Sequence, residues 1–117
     1  MNPYLDPQLN PRIKLEVYAS SWHLQDFLID TGFSGGLALS HKLLSDFKQT
    51  PIAFQKYELA DGSFSTFAVF QTRVRYKQIK KEVTLIFTKS NESLVGIEFL
   101  RGFKFALDLR KYKITLE

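Results

Sequence analysis

The sequence has no cysteine. A disulfide framework, a thiolate metal site and a cysteine nucleophile are therefore all excluded. Histidine is nearly absent too, and His23 and His41 alone are too few for a His-rich metal centre. No apolar run approaches the roughly 18 residues of a membrane-crossing helix. The N-terminus lacks the charged-then-apolar order of a secretory signal. These absences lead to the expectation of a cytoplasmic protein that makes no membrane contact.

What remains is an ordinary globular composition. At 117 residues, with 44% hydrophobic and 24% charged side chains, the chain is long enough for one domain with its own core. Eleven phenylalanines favour packed sheets. The net charge of +4 collects in residues 73–81 and 101–113. Arg73, Arg75 and Lys77 alternate with Val74 and Tyr76, which fits a solvated strand face better than a nucleic-acid surface. A basic barrel binding nucleic acid through residues 73–81 ranks below the other readings, and no nucleic-acid partner is expected.

Residues 1–11 carry Pro3, Pro7 and Pro11, which block regular hydrogen bonding and predict an extended arm or a disordered leader. Residues 12–117 form the domain. Ile13, Leu15, Val17 and Ala19 alternate with Arg12, Lys14, Glu16 and Tyr18, the pattern of a half-buried strand. Residues 20–23 read as a turn, where Trp22 covers a sheet end, and residues 25–29 as the returning strand. Leu37-Ala38-Leu39 is a short strand. Ser40 suits the N-cap of a helix over residues 41–48 with Leu43, Leu44 and Phe47 inward. Asp61-Gly62 signals a two-residue hairpin turn between strands at 52–60 and 64–76. A strand at 83–87, a helical turn at 97–101 closed by Gly102, and alternating strands to the C-terminus complete the pattern. The expected fold class is all-β, a small closed barrel with one or two short helices.

One stretch stands out. Phe27-Leu28-Ile29 has the continuous apolar character of a strand buried on both faces, and it runs straight into Asp30-Thr31-Gly32-Phe33-Ser34-Gly35-Gly36. An ionised carboxylate is costly to bury without a partner or a proton. Asp-Thr-Gly alone equally suits an Asx turn.

The order of three features narrows the choice. Asp30-Thr31-Gly32 ends an apolar strand, Ala60-Asp61-Gly62-Ser63 tips a long hairpin, and Leu94-Val95-Gly96 precedes a short helix. This order resembles the retropepsin-like aspartic proteases of clan AA, and Asp-Thr-Gly-Phe-Ser-Gly with Leu-Val-Gly-Ile-Glu-Phe-Leu is most similar to the bacterial single-domain members. The resemblance spans residues 12–109. It implies a barrel in which the Asp-Thr-Gly loop meets a ψ-shaped crossing of strands. Asp30 would be the catalytic carboxylate, Thr31 would brace the opposite loop, and Gly32 would let the backbone approach substrate. Ala60, Asp61, Gly62 and Ser63 would form the flap, while Leu94, Val95 and Gly96 support the active-site loop. No metal or cofactor is implied.

The resemblance implies hydrolysis of a polypeptide substrate. That chemistry uses two carboxyl groups, and the chain has one Asp-Thr-Gly, so a homodimer is implied, with residues 111–117 as the leading interface strand and the N-terminal arm second. The sequence departs from retroviral members in having Phe33 where they carry Ala, a single flap glycine, and Ile97-Glu98 where they place a basic residue. A binding or dimerisation module on the same fold, without hydrolysis, is the alternative.

Overall fold

The computed structural model describes residues 2–117. In chain order its elements are β1 (Tyr4–Leu5), β2 (Pro11–Ala19), β3 (Ser21–Ile29), β4 (Leu37–Ser40), a 3₁₀ helix (His41–Asp46), β5 (Ala53–Glu58), β6 (Phe64–Tyr76), β7 (Ile79–Thr88), β8 (Leu94–Val95), α1 (Ile97–Leu100), β9 (Phe105–Asp108) and β10 (Lys113–Leu116). The first eight strands make one sheet in the order β1-β2-β3-β8-β4-β7-β6-β5. Because β2 also pairs with β6, at Glu16↔Arg75 and Val17↔Val74, six of these strands return on themselves in a ring. Strands β9 and β10 form a separate hairpin. No helix among the described residues is long and apolar enough to cross a membrane.

The alternation in β2 is realised fully: Ile13, Leu15, Val17 and Ala19 are buried, and their neighbours lie outside. They meet Phe27, Ile29, Leu37, Leu39, Val74, Val83, Leu85, Val95 and Phe99 in one continuous core. Burial at this scale, at about 25 cal/mol per Å² of apolar surface, contributes most to holding the ring closed.

Several local expectations are corrected. The β2–β3 turn is tighter than residues 20–23, since Ser21 already pairs with Ala19 and Ser20 takes φ 64°. Trp22 therefore lies within β3. It stands edge-on to Tyr18, with Arg75 over its ring and Arg73 over Tyr18. These cations and aromatics share the outer face, and Arg75 also forks onto Glu16 at 2.7 and 3.2 Å. The helix after Ser40 is 3₁₀, shorter than 41–48, and leaves Leu44 exposed. Ser40 does cap it, accepting the Lys42 amide at 3.4 Å. The turn between β5 and β6 has three residues, not two: Leu59 bonds Ser63, and Gly62 returns to Leu59 with φ 86°, the left-handed conformation glycine tolerates.

The N-terminal arm is tied down. Tyr4 and Leu5 pair with Arg12 and Pro11, and Pro3 is buried. Arg12 joins Asp6 at 3.5 Å, Asp26 at 3.5 Å and Glu92 at 2.5 Å, while the Tyr4 hydroxyl donates to Asp26. The Asn10 amide, then the Gln8 amide and more weakly Arg12, hold the Asp6 carboxyl below its ordinary value. A carboxyl depressed on folding stabilises at pH above its unfolded value, near 3.9, and that contribution is lost as pH falls through the folded value. Lowering the pH from 6 to 3 is therefore expected to loosen residues 2–10 first. Proteolysis or amide exchange confined to the arm checks this, and Arg12→Ala should give the same loosening at neutral pH.

Lys81 holds the other end of the site's scaffold. Its ammonium lies over the Phe103 ring at 4.8 Å and donates to the carbonyls of Phe99 (2.7 Å) and Arg101. These are unpaired carbonyls at the C-terminal end of α1, where a cation is favourable. Lys81→Met keeps the stem and loses both bonds. The expected cost is about 1–3 kcal/mol, read as a lower urea midpoint with an unchanged slope.

Candidate active site

Asp30 is delivered by β3 at the point where β8 slips between β3 and β4. Leu28 and Ile29 run parallel to Leu94 and Val95, and the same two residues of β8 run antiparallel to Ala38 and Leu37. The two strands flanking the Asp30 loop are thus pinned to one short central strand, which gives the ψ-shaped crossing. The Asp30 amide itself bonds Val95 at 2.9 Å.

The loop then folds on its own polar groups. The Gly32 amide donates to Asp30 Oδ1 at 2.9 Å, and the Phe33 amide to the Asp30 carbonyl at 3.1 Å. This is the Asx turn that Asp-Thr-Gly suits, and it fixes one carboxylate oxygen. Asp30 is only half-buried, so the single chain does not bear the full cost of burying its charge.

Helix α1 locks the far side of the loop. Its first amides have no intrahelical acceptor. Ile97 donates instead to the Phe33 carbonyl at 2.9 Å and Glu98 to Gly35 at 3.2 Å, while Gly96 bonds Gly36 at 2.8 Å. Glu98 also reaches sideways, accepting the Thr84 amide at 3.0 Å and the Thr84 hydroxyl at 2.5 Å. Gly36 has to be glycine here: a Cβ would lie 2.6 Å from the Thr84 carbonyl oxygen and 2.7 Å from Val83 Cβ.

A cleft of about 620 Å³ opens over Asp30. Gly32, Phe33 and Ser34 line it from the loop, Ala38, Ile86, Thr88 and Leu94 from the ring, and Tyr57, Glu58, Leu59, Ala60 and Phe67 from the β5–β6 hairpin. Tyr57 joins loop to hairpin, its ring centroid 5.7 Å from Phe33 and 5.9 Å from Phe67. Burial, and secondarily the Glu98 carboxylate, push the Tyr57 phenol above its ordinary value, so it stays protonated and neutral.

The expected site residues divide. Asp30, Gly32, Ala60 and Leu94 line the cleft together. Thr31 is exposed beside it. Val95 and Gly96 are buried beneath, Val95 accepting the Asp30 amide and Gly96 donating to the Gly36 carbonyl. Asp61, Gly62 and Ser63 sit at the exposed hairpin tip outside the cleft lining. There the Ser63 hydroxyl and amide bond Asp61 Oδ1 at 2.6 and 2.9 Å and hold its carboxyl below the ordinary value.

Comparison of the sequence with family models and with curated proteins finds no match. Comparison of the structures does. A retropepsin-like aspartic protease from Rickettsia conorii superposes with a TM-score of 0.64 at 17% identity, covering 99% of this chain and 87% of that one. The protease of simian foamy virus (mac) superposes with a TM-score of 0.55 at 13% identity, covering 76% of this chain and 90% of that one. The fold is retropepsin-like.

Within this retropepsin-like fold, sequence patterning missed most of the cleft wall. Tyr57, Glu58, Phe67, Ala38 and Ile86 read as unremarkable strand residues. The usable signal was parity: Tyr57 and Phe67 point to one face of the hairpin, since Tyr57 pairs with Ser65 and Gln55 with Phe67. Glu98, noted in the sequence only for not being basic, ties the loop-bearing helix to β7.

Proposed function

We propose that the protein is an aspartic endopeptidase that works as a homodimer. The observation that carries this is Asp30, held in an Asx turn at the mouth of an extended cleft, at the ψ crossing of a retropepsin-like fold. Two copies bring two Asp30 side chains together on the symmetry axis. At a few Å separation both cannot ionise, and they share one proton. The unprotonated carboxylate takes a proton from water as its oxygen bonds to the scissile carbonyl carbon, and the protonated partner gives its proton to the carbonyl oxygen. Collapse of the resulting diol breaks the C–N bond, and the amine nitrogen leaves with a proton returned by the pair.

Two features support a dimer. Thr31 is exposed next to Asp30 in the single chain, where a partner's loop would meet it. Among the described residues β9 and β10 pair only with each other, outside the ring, so this hairpin keeps unpaired backbone groups that another chain would satisfy. Residues 2–10, the second interface candidate, are engaged with β2 and Arg12 of the same chain. A cytoplasmic location belongs to the same proposal.

The test is a mixed peptide library incubated with the protein over acid to neutral pH, with sedimentation of the same preparation. Cleavage by a dimer is expected. A folded dimer that cleaves nothing at any pH would leave a binding or dimerisation module, and a stable monomer at high concentration would contradict the shared pair of carboxyls.

A further inference from the structure

One end of the eight-stranded sheet is open. At the other end β1 is two residues long and set between Pro3 and Pro7, a blunted edge. Strand β5 is six residues long, carries no proline, and among the described residues pairs with β6 alone. Five of its six residues are exposed. The Leu59 amide donates to the Ser63 carbonyl one step beyond the Glu58↔Phe64 pair. In an antiparallel ladder residues 53, 55 and 57 then turn their amides and carbonyls to β6 as well. Phe54, Lys56 and Glu58 turn theirs outward, to no strand. Their side chains share the hairpin face opposite Tyr57 and Phe67. Phe54 is 73% exposed on that face, and Phe64, across from Glu58, is 65% exposed.

Such an edge is a template for another strand, and its own sequence suits a second copy. About a two-fold axis perpendicular to the sheet, two β5 strands run antiparallel, and two registers keep residues 54–58 or 53–57 of each strand paired. The first is centred on Lys56 and sets the two ammonium groups opposite each other, which is unfavourable. The second is centred on Gln55. Phe54 of each strand then faces Lys56 of the other, Ala53 leaves room for Tyr57 of the other, and no like charges meet. The lysine stem lies along the phenyl ring and its ammonium reaches the ring's face. In this register the outward amides and carbonyls of Phe54 and Lys56 satisfy each other, and the Gln55 pair between them is the close, non-hydrogen-bonded kind.

We infer that β5 is a self-association edge, through which two copies join antiparallel over residues 53–57 about Gln55. The pairing makes no use of Asp30, so it stands apart from the endopeptidase reading. Where the Asp30 pair forms too, β5 joins one dimer to the next. The contact is small, so the association is weak, with a Kd of about 0.1 mM.

Sedimentation of the full-length protein from about 10 µM to about 1 mM brackets that value. The wild type is expected to move to twice its dilute mass across the range. Lys56→Pro removes only an outward amide, so the β5–β6 ladder survives while association weakens about tenfold or more. Phe54→Lys should abolish association by setting like charges opposite, and Phe54→Glu, which meets Lys56, should keep or strengthen it. Mere loss of an apolar surface would weaken both alike. The chain has no cysteine of its own. On mild oxidation Gln55→Cys should therefore give a disulfide-linked pair, and Lys56→Cys far less of one, its sulfurs lying on diagonal positions. Circular dichroism checks that each variant is folded. A wild-type mass constant over the range, a Phe54→Lys protein that associates like the wild type, equal losses in the two Phe54 variants, or crosslinking at 56 in preference to 55 overturns the inference.

Discussion

Asp30→Asn is expected to lower peptide hydrolysis by about 10⁴-fold or more with little change in folding. The two halves of this expectation have separate causes. An asparagine keeps the side-chain oxygen that accepts the Gly32 amide, and asparagine serves Asx turns as well as aspartate does, so the loop retains its shape. An amide, however, neither takes a proton from water nor gives one to a carbonyl oxygen, and in a homodimer the substitution removes both groups at once. The proposed homodimer would supply a sharper form of the same test. When wild-type and Asp30→Asn chains are mixed equally and allowed to exchange, about a quarter of the dimers are wild type on both sides. Activity should fall to about a quarter of the wild-type value if the mixed dimers are inactive, whereas independent monomers would retain about half. Circular dichroism of the variant and a mixing series across all ratios check the two halves separately.

How much of this could be read from the chain alone depends on the kind of interaction. Period-two burial is local, so β2 and β6 and the inward set Ile13, Leu15, Val17 and Ala19 were legible, as was the all-β class. The Asp30 loop was legible because its residue types are unusual together. The turns were harder. Whether Asp61-Gly62 closes a two- or three-residue loop depends on which flanking amides pair, and the Ser63 contacts with Asp61 favour the longer form. The arm's fate was open because nothing near Pro3 or Pro7 in sequence announces Asp26 or Glu92, the groups that Tyr4 and Arg12 reach. The cleft wall was the least legible part. Tyr57 meets Phe33 from 24 positions away, and Thr84 meets Glu98 from 14, through pairings that only the closed ring creates. A half-buried aromatic on a strand looks the same in sequence whether it faces a core or a substrate.

Gly96→Ala tests a position where that long-range geometry leaves no room. Gly96 has φ −113° and ψ −169°, extended backbone open to any residue, so the restriction is not conformational. It is contact. A Cβ there would fall on the Gly35 carbonyl oxygen, 2.5 Å from the Phe33 carbonyl oxygen and 2.6 Å from Phe33 Cδ2. The phenyl ring can swing aside. The two carbonyls cannot, because they accept the Glu98 and Ile97 amides that bind α1 to the loop. Relieving the clash means separating α1 from residues 33–36, which breaks those bonds and shifts the turn that holds Asp30. Overpacking against fixed backbone, together with the lost hydrogen bonds, costs about 3–5 kcal/mol. That is a large share of the roughly 5–15 kcal/mol by which a domain is stable. Thermal unfolding should occur at least about 10 °C lower. Gly62→Ala is the control, since a Cβ at the β5–β6 hairpin tip meets nothing within 4 Å and only the positive φ is strained. A Gly96→Ala protein that melts with the wild type would mean that the loop and α1 are not packed as closely as their hydrogen bonds require.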